Sequence, residues 1–162
     1  MLKNALTFAL AMLVVLLVAT SCSRNEQTAS SSFGSWAEGQ GVNYLVILGN
    51  TDTCLLNLPV KFVNGKMEAN GVGRFNDKEY SLGLFGLGKH QNNKSFGWIT
   101  LNVVHGLKKY ERPGTIEFIP NLKERNQGKS VRIGLGVIFF KDNDGGQLYW
   151  TLSKEPLDCL NK

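Results

Sequence analysis

The sequence predicts an all-β domain, an antiparallel meander of about eight strands closed as a barrel or stacked as a two-sheet sandwich. Three observations carry this. Apolar residues from Asn43 onward alternate with period two, and no convincing helical period is present. Turn signals recur at short intervals, among them Asn64-Gly65, Asn76-Asp77 and Asp144-Gly145-Gly146. The chain has 18 glycines and 162 residues, enough for one domain with a real core.

The elements follow in order. Tyr44 to Leu48 is continuously apolar and reads as a buried strand. Leu56, Leu58, Val60 and Phe62 alternate with polar neighbours. Pro59 inside that run points to an edge strand or a bulge. Asn64-Gly65 then supplies a hairpin turn, because both residues tolerate positive φ. Met67, Ala69, Gly71, Gly73 and Phe75 share one face. Asn76-Asp77 turns the chain into a strand marked by Tyr80, Leu82 and Leu84. Gly88 to Ser95 reads as a loop. Phe96 to Val104 is apolar on both faces and is expected to be central.

Pro113-Gly114 reads as a turn before a short strand at Thr115 to Ile119. Asn121 to Ser130 is polar and basic, a second loop. Val131, Ile133, Leu135, Val137 and Phe139 alternate as one apolar face. Gly134 and Gly136 lie opposite, beside Ile138 and Phe140. A strand face without side chains lets another backbone approach, either a partner or the facing sheet. Leu148, Trp150 and Leu152 form the last strand, and residues 155–162 a tail. Exposed edges of such a sheet invite aggregation, so closure or stacking is expected; consecutive hairpins favour the barrel.

Residues 1–21 read as a secretory signal. Lys3 supplies the charged start, Ala5 to Ala19 the apolar stretch, and Ala19-Thr20-Ser21 the small residues. The apolar run is shorter than the about 20 residues a membrane-spanning helix needs. Ala19-Thr20-Ser21-Cys22 resembles the lipobox of bacterial lipoproteins, with Ala19 where leucine is commonest. The resemblance implies cleavage before Cys22 and a diacylglycerol on its thiol. By the same resemblance, Ser23 in place of aspartate implies sorting to the outer membrane. Cleavage after Ser21 without lipidation is the alternative. Two acyl chains suffice for stable anchoring, each buried methylene contributing about 0.8 kcal/mol. Residues 22–40 form the lipidated end and a flexible linker, and 41–162 the domain.

Cys22, Cys54 and Cys159 are the three cysteines. With Cys22 lipidated, Cys54 and Cys159 are left to pair in an oxidising compartment; two buried free thiols are the alternative. The bridge would close a loop of about 100 residues and contribute about 4–5 kcal/mol in the chain-entropy account.

Formal charge is +5. Its surplus lies in one window holding Lys108, Lys109, Arg112, Lys123, Arg125, Lys129 and Arg132 against Glu111, Glu117 and Glu124. Export turns such a window away from nucleic acid and toward anionic headgroups or an acidic protein face. A solvated loop accounts for the same residues.

Catalytic and metal patterns are sparse. CxxC, HExxH and G-x-S-x-G are absent from the sequence. His90 and His105 stand fifteen residues apart without a partner pattern. Gly128-Lys129-Ser130 lacks the upstream glycine of a phosphate loop, Lys123 standing there instead. Asp142-Asn143-Asp144 offers oxygens without calcium-loop spacing, and a hairpin turn explains it equally. Asn93-Lys94-Ser95 matches the glycosylation acceptor pattern, which a bacterial lipoprotein would not normally use. No catalytic residue, metal or cofactor is assigned.

Gly34-Ser35-Trp36 resembles the G-x-W that opens lipocalins and related calycin barrels. The following tyrosine is replaced by Ala37, and the T-D-Y turn and C-terminal helix are missing. That resemblance implies a carrier of a small apolar ligand, with room beside Ala69, Gly71 and Gly73 and Trp36 closing the barrel base. The residues themselves favour a non-catalytic, anchored envelope protein that binds another envelope or secreted protein. Inhibitor, immunity, exclusion and assembly roles all fit. A palmitate analogue fed to expressing cells is expected to label the chain, and Cys22→Ala to abolish the label; an exported but unlabelled parent chain would overturn the anchor.

Overall fold

The computed structural model describes residues 33–89, 94–120 and 131–160. The expected leader, Cys22 and most of the expected linker lie outside these residues. The fold is all-β, as expected, and the described residues form nine strands in one curled, half-barrel sheet. They are β1 (Tyr44–Leu48), β2 (Cys54–Val63), β3 (Lys66–Ala69), β4 (Gly73–Phe75), β5 (Lys78–Lys89), β6 (Ser95–His105), β7 (Lys108–Ile119), β8 (Arg132–Phe140) and β9 (Gln147–Ser153). All pairings between these strands are antiparallel, and an isolated parallel bridge joins Cys54 and Cys159. The order β3-β2-β1-β9-β8-β7-β6-β5-β4 is the chain order written around a ring and opened between β3 and β4.

The first and last strands close the meander, with Tyr44 opposite Ser153 and Leu48 opposite Tyr149. At the opening, β3 and β4 are two pieces of one segment. The β2–β3 ladder continues to a bond from the Asn70 N–H to the Pro59 carbonyl (3.0 Å). A Cβ at Gly73 would overlap the Asn57 carbonyl and Leu56. β4 then pairs with β5 instead. The two edges of the sheet therefore meet, which gives the barrel-like shape without two stacked layers. Pro59 sits where β2 stops pairing with β3, so its missing N–H costs no ladder bond.

A short helix, α1 (residues 33–39), precedes the sheet. The expected linker to Gln40 is corrected by it, because Phe33 and Ala37 are buried in the main core and Trp36 packs against it. Gly41, at φ 74°, ends the helix. The Val42 N–H reaches the Ala37 carbonyl (3.2 Å) and the Gly41 N–H the Glu38 carbonyl (2.8 Å), a left-handed cap that satisfies the last carbonyls. Gly34 is required by contact: a Cβ there would overlap the Gly65 carbonyl of the β2–β3 turn.

Inside the curl, Phe33, Phe85, Phe118 and Trp150 form a chain of rings, with Phe118 and Trp150 centroids 4.9 Å apart and Phe85 and Trp150 6.2 Å apart. The Trp150 indole N–H donates to the Glu117 carbonyl (3.1 Å), so the buried ring keeps its polar atom satisfied.

The glycine face of β8 is explained by these rings. Gly134, Gly136, Ile138 and Phe140 point inward, and a Cβ at Gly136 would overlap the Trp150 indole and at Gly134 the Phe118 ring. Neither a partner backbone nor a second sheet lies there. The five-residue apolar alternation expected on one face is broken. Two residues, Gly134 and Leu135, stand against one on β9, Thr151, a bulge with Gly134 at φ 75°. One extra residue moves Leu135, Val137 and Phe139 to the outside while Ile133 stays in. A second bulge in β5 between Leu82 and Phe85 does the same, leaving Leu84 exposed while Leu82, Phe85 and Leu87 face in.

Pro113-Gly114 is not a turn. β7 runs through it, and the turn is Gly106-Leu107, with Gly106 at φ 58° in the first central position. The turns at Asn64-Gly65 and Asn76-Asp77 form as expected, all four residues at positive φ.

β1 is buried on both faces, which accounts for its unbroken apolar run. Leu45 and Ile47 join the inner core. Val46 and Leu48 are covered outside by the C-terminal tail through Leu157 and Cys159. Cys54 and Cys159 are disulfide-bonded. Asn57 holds the same tail: its Nδ2 donates to the Leu157 carbonyl (2.8 Å) and its Oδ1 accepts the Leu157 N–H (3.0 Å). Cys159→Ser is expected to lower unfolding free energy by about 4 kcal/mol, the loop-closure term for a span of this length, read as a lower denaturant midpoint under oxidising conditions. An unchanged midpoint would show that the tail contributes nothing.

Candidate functional site

The outer face of β6, β7 and β8 is built from the residues that the inward core leaves over. Strand geometry alternates the faces, so Ile99, Leu101 and Val103 turn in while Phe96 and Trp98 turn out. Register aligns them across the sheet. Trp98 faces Thr115 and Thr115 faces Phe139 in one row. Phe96, Glu117 and Val137 form the next. Ile119 and Leu135 form a third. Phe96, Trp98, Ile119, Leu135 and Phe139 are each 42–46% exposed. Three strands at about 4.8 Å spacing place the row ends about 10 Å apart, a span one partner element can cover.

The patch has a built character. Gly86 lies opposite Trp98, and a Cβ there would overlap the indole, so the glycine lets the ring lie flat on the sheet. Lys94 pairs with Glu117 in the middle row (2.9 Å), which places a neutralised polar contact inside an apolar surround. On β1 and β9 the corresponding outer face is covered by the tail, with Tyr44 and Tyr149 at its margin. The sheet thus has one outer region that the C-terminal tail covers and one, around Trp98 and Phe139, that no other described residue is seen to cover. Exposed contiguous apolar surface of this kind marks interaction sites in folded proteins.

Of the expected basic surface, Lys108, Lys109, Arg112 and Arg132 lie among the described residues. Lys123, Arg125 and Lys129 lie outside the described residues, as do Cys22 and His90. Lys108 and Lys109 open β7 at the hairpin, about 36 Å along the strand from Ile119, beyond which residues 121–130 follow. Arg112 is committed elsewhere. Its guanidinium binds the Asp142 carboxylate through two nitrogens, donates to the Gly145 carbonyl (3.0 Å) and stacks 4.0 Å over the Phe140 ring. Arg132 makes a similar two-pronged contact with Asp52 (Nη1 to Oδ2 2.8 Å). Among the described residues of that window, Lys108 and Lys109 thus sit at a hairpin while Arg112 and Arg132 enter separate ion pairs.

Asp142 is a turn residue in the folded chain. Its Oδ1 accepts the Gly145 N–H (3.0 Å) while Arg112 takes the remaining capacity. Among the described residues, no group of three or more His, Cys, Asp or Glu is placed to hold a metal. His105 is exposed at the β6–β7 turn. Trp36 packs on the inner core, its ring 5.4 Å from Phe33 and 6.1 Å from Phe118. The face of Ala69, Gly71 and Gly73 offers no interior room at Gly73, which backs onto Leu56 and Asn57.

The outer patch was signalled in the sequence by Phe96 to Val104 being apolar on both faces. Central position explains only half of that signal. The Arg112–Asp142 contact had no local signal, since thirty residues and one strand reversal separate the partners.

Comparison with protein-family models, with curated proteins and with solved structures finds no match.

The two arginine contacts predict acid sensitivity. Hydrogen bonding from Arg112 holds the Asp142 carboxyl below the usual carboxylate range, and Arg132 does the same for Asp52. A depressed folded value means that the stabilisation is full above the unfolded value of about 3.9 and is lost as pH falls through the lower folded value. Asp52→Asn/Asp142→Asn is expected to flatten unfolding free energy against pH below about pH 4, measured by denaturant titration at each pH; parallel curves for variant and parent would contradict it.

Proposed function

We propose that this chain is a lipid-anchored envelope protein, held at the outer membrane through Cys22, whose non-catalytic β domain binds a protein partner. The observation that carries the binding half is the exposed apolar outer face of β6–β8, with Trp98 and Phe139 in one row and Leu135 and Ile119 beside them, which is uncovered among the described residues. Aromatic side chains held on a rigid sheet present large contact area at small entropic cost, and such residues dominate binding energy at interfaces. The anchor half rests on the lipobox-like Ala19-Thr20-Ser21-Cys22 and on the pairing of the other two cysteines, which is the arrangement an exported chain favours.

A carrier role has less support. The interior along the ring chain is occupied by the protein's own Phe33, Phe85, Phe118 and Trp150, and the glycines expected to leave space are overlaid by neighbouring chain. Inhibitor, immunity, exclusion and assembly roles remain equivalent at this level, because each needs an anchored domain with one open face.

Crosslinking in intact cells tests the reading. Trp98→Glu and Phe139→Glu are expected each to reduce the captured partner at least tenfold, the loss of a central anchor residue being worth about 2 kcal/mol or more. Lys66→Glu, remote on β3, serves as the control. Equal capture by all three variants would remove the outer face from the proposal.

A further inference from the structure

The β6–β7 hairpin projects past its neighbours on one side. β7 begins at Lys108, yet β8 pairs with it only from Gly114 onward. Lys141 extends that ladder by one bond, donating its N–H to the Pro113 carbonyl (2.9 Å). Among the described residues, no strand pairs with residues 108–112 on this side.

The phase of the open edge can be read from both ends. His105 and Lys108 close the two-residue turn and form the first bonded pair. Backbone groups of Lys109, Glu111 and Pro113 therefore point away from β6, and the Pro113–Lys141 bond lies on that side as required. Two N–H and two C=O groups, from Lys109 and Glu111, form a free ladder. Both residues are exposed.

We propose that this edge pairs antiparallel with the same edge of a second copy, around a two-fold axis at Tyr110. The edge is self-complementary. Centring on Tyr110 places Lys109 opposite Glu111 of the second copy and Glu111 opposite its Lys109, so bonded pairs and opposite charges coincide. Directly opposed charges of unlike sign stabilise such pairs. Lys108 comes opposite Arg112, whose charge Asp142 already offsets. No proline or bulge interrupts residues 108–112. The contact is short and belongs to the weak class of interfaces, and tethering both copies to one membrane would raise their effective concentration.

The axis makes a sharp test. Tyr110 and its copy form a non-bonded pair with Cα atoms about 4.5 Å apart, within disulfide range. Tyr110→Cys in the full chain, exported in cells, is expected to give a reducible band at twice the chain mass. Glu111→Cys, whose copy lies across from residue 109 instead, is expected to give little. In the Tyr110→Cys background, Lys109→Glu or Glu111→Lys alone should lower the dimer yield about tenfold by opposing like charges on both sides of the axis. The double variant Lys109→Glu/Glu111→Lys should restore it. Absence of the dimer band in chain that retains its Cys54–Cys159 bond, a double variant as poor as the singles, or a band containing a different protein would each overturn the proposal. Capture through Trp98 is independent of this edge, so loss of the dimer leaves the partner reading standing and loss of the partner leaves the dimer standing.

Discussion

The fit of Trp150 against Gly136 is the constraint on which the sheet depends. A curled sheet must fill its interior, and here the filling is aromatic, with Trp150 and Phe118 at the centre. Rings of that size fit only where the facing strand carries no side chain. Gly136 supplies the space under the indole, and Gly134 does so beside Phe118. Gly134 also supplies the left-handed backbone of the bulge. Space and curvature thus come from adjacent glycines, since a bulge bends its strand and increases local twist. The indole N–H closes the arrangement on the Glu117 carbonyl, tying β9 to β7 across the glycine strand between them.

That inward packing decides what the outside looks like. Each bulge reverses the facing of the residues after it, so apolar residues that would continue a buried stripe emerge on the surface. Leu135, Val137 and Phe139 reach the outer face because Gly134 adds one residue. The chain then treats its outer face in two ways. Over β1 it lays down its own tail, fixed by the Cys54–Cys159 bond and by Asn57, whose amide bonds Leu157 as a neighbouring strand would. Over β6–β8 it lays down nothing among the described residues. A covered region that cost a disulfide to secure, next to an uncovered apolar one, is the physical basis for reading the second as a binding face.

The fold also has a direction. The helix residues 33–39 seat against the β2–β3 turn, at one end of the sheet. Antiparallel alternation places the Gly106-Leu107 turn at the opposite end, with Leu107 fully exposed and Lys108, Lys109 and Tyr110 beside it. The hairpin thus lies at the end of the sheet remote from the helix.

Much of the fold was legible because local rules act locally. Period-two alternation marked β2, the Asn-Gly and Asn-Asp pairs marked turns that need positive φ, and the unbroken run from Tyr44 to Leu48 marked a strand buried on both faces. What misled was local too. Pro113-Gly114 carries a strong turn signal, but Pro113 lies on the side of β7 where the β8 ladder ends, so no bond is lost. Phe33, Trp36 and Ala37 have helical spacing, but seven residues are too few to declare a helix until the core receives them. By itself the sequence determined the all-β class, the turns at Asn64-Gly65 and Asn76-Asp77, and the supply of two cysteines able to pair. Only the tertiary structure decided which face of each strand is buried, because one bulge residue inverts that face and its presence depends on rings contributed by other strands. The same dependence set Arg112 and Arg132 in separate ion pairs and aligned the outer apolar patch, since both follow from register between strands that are distant in the chain.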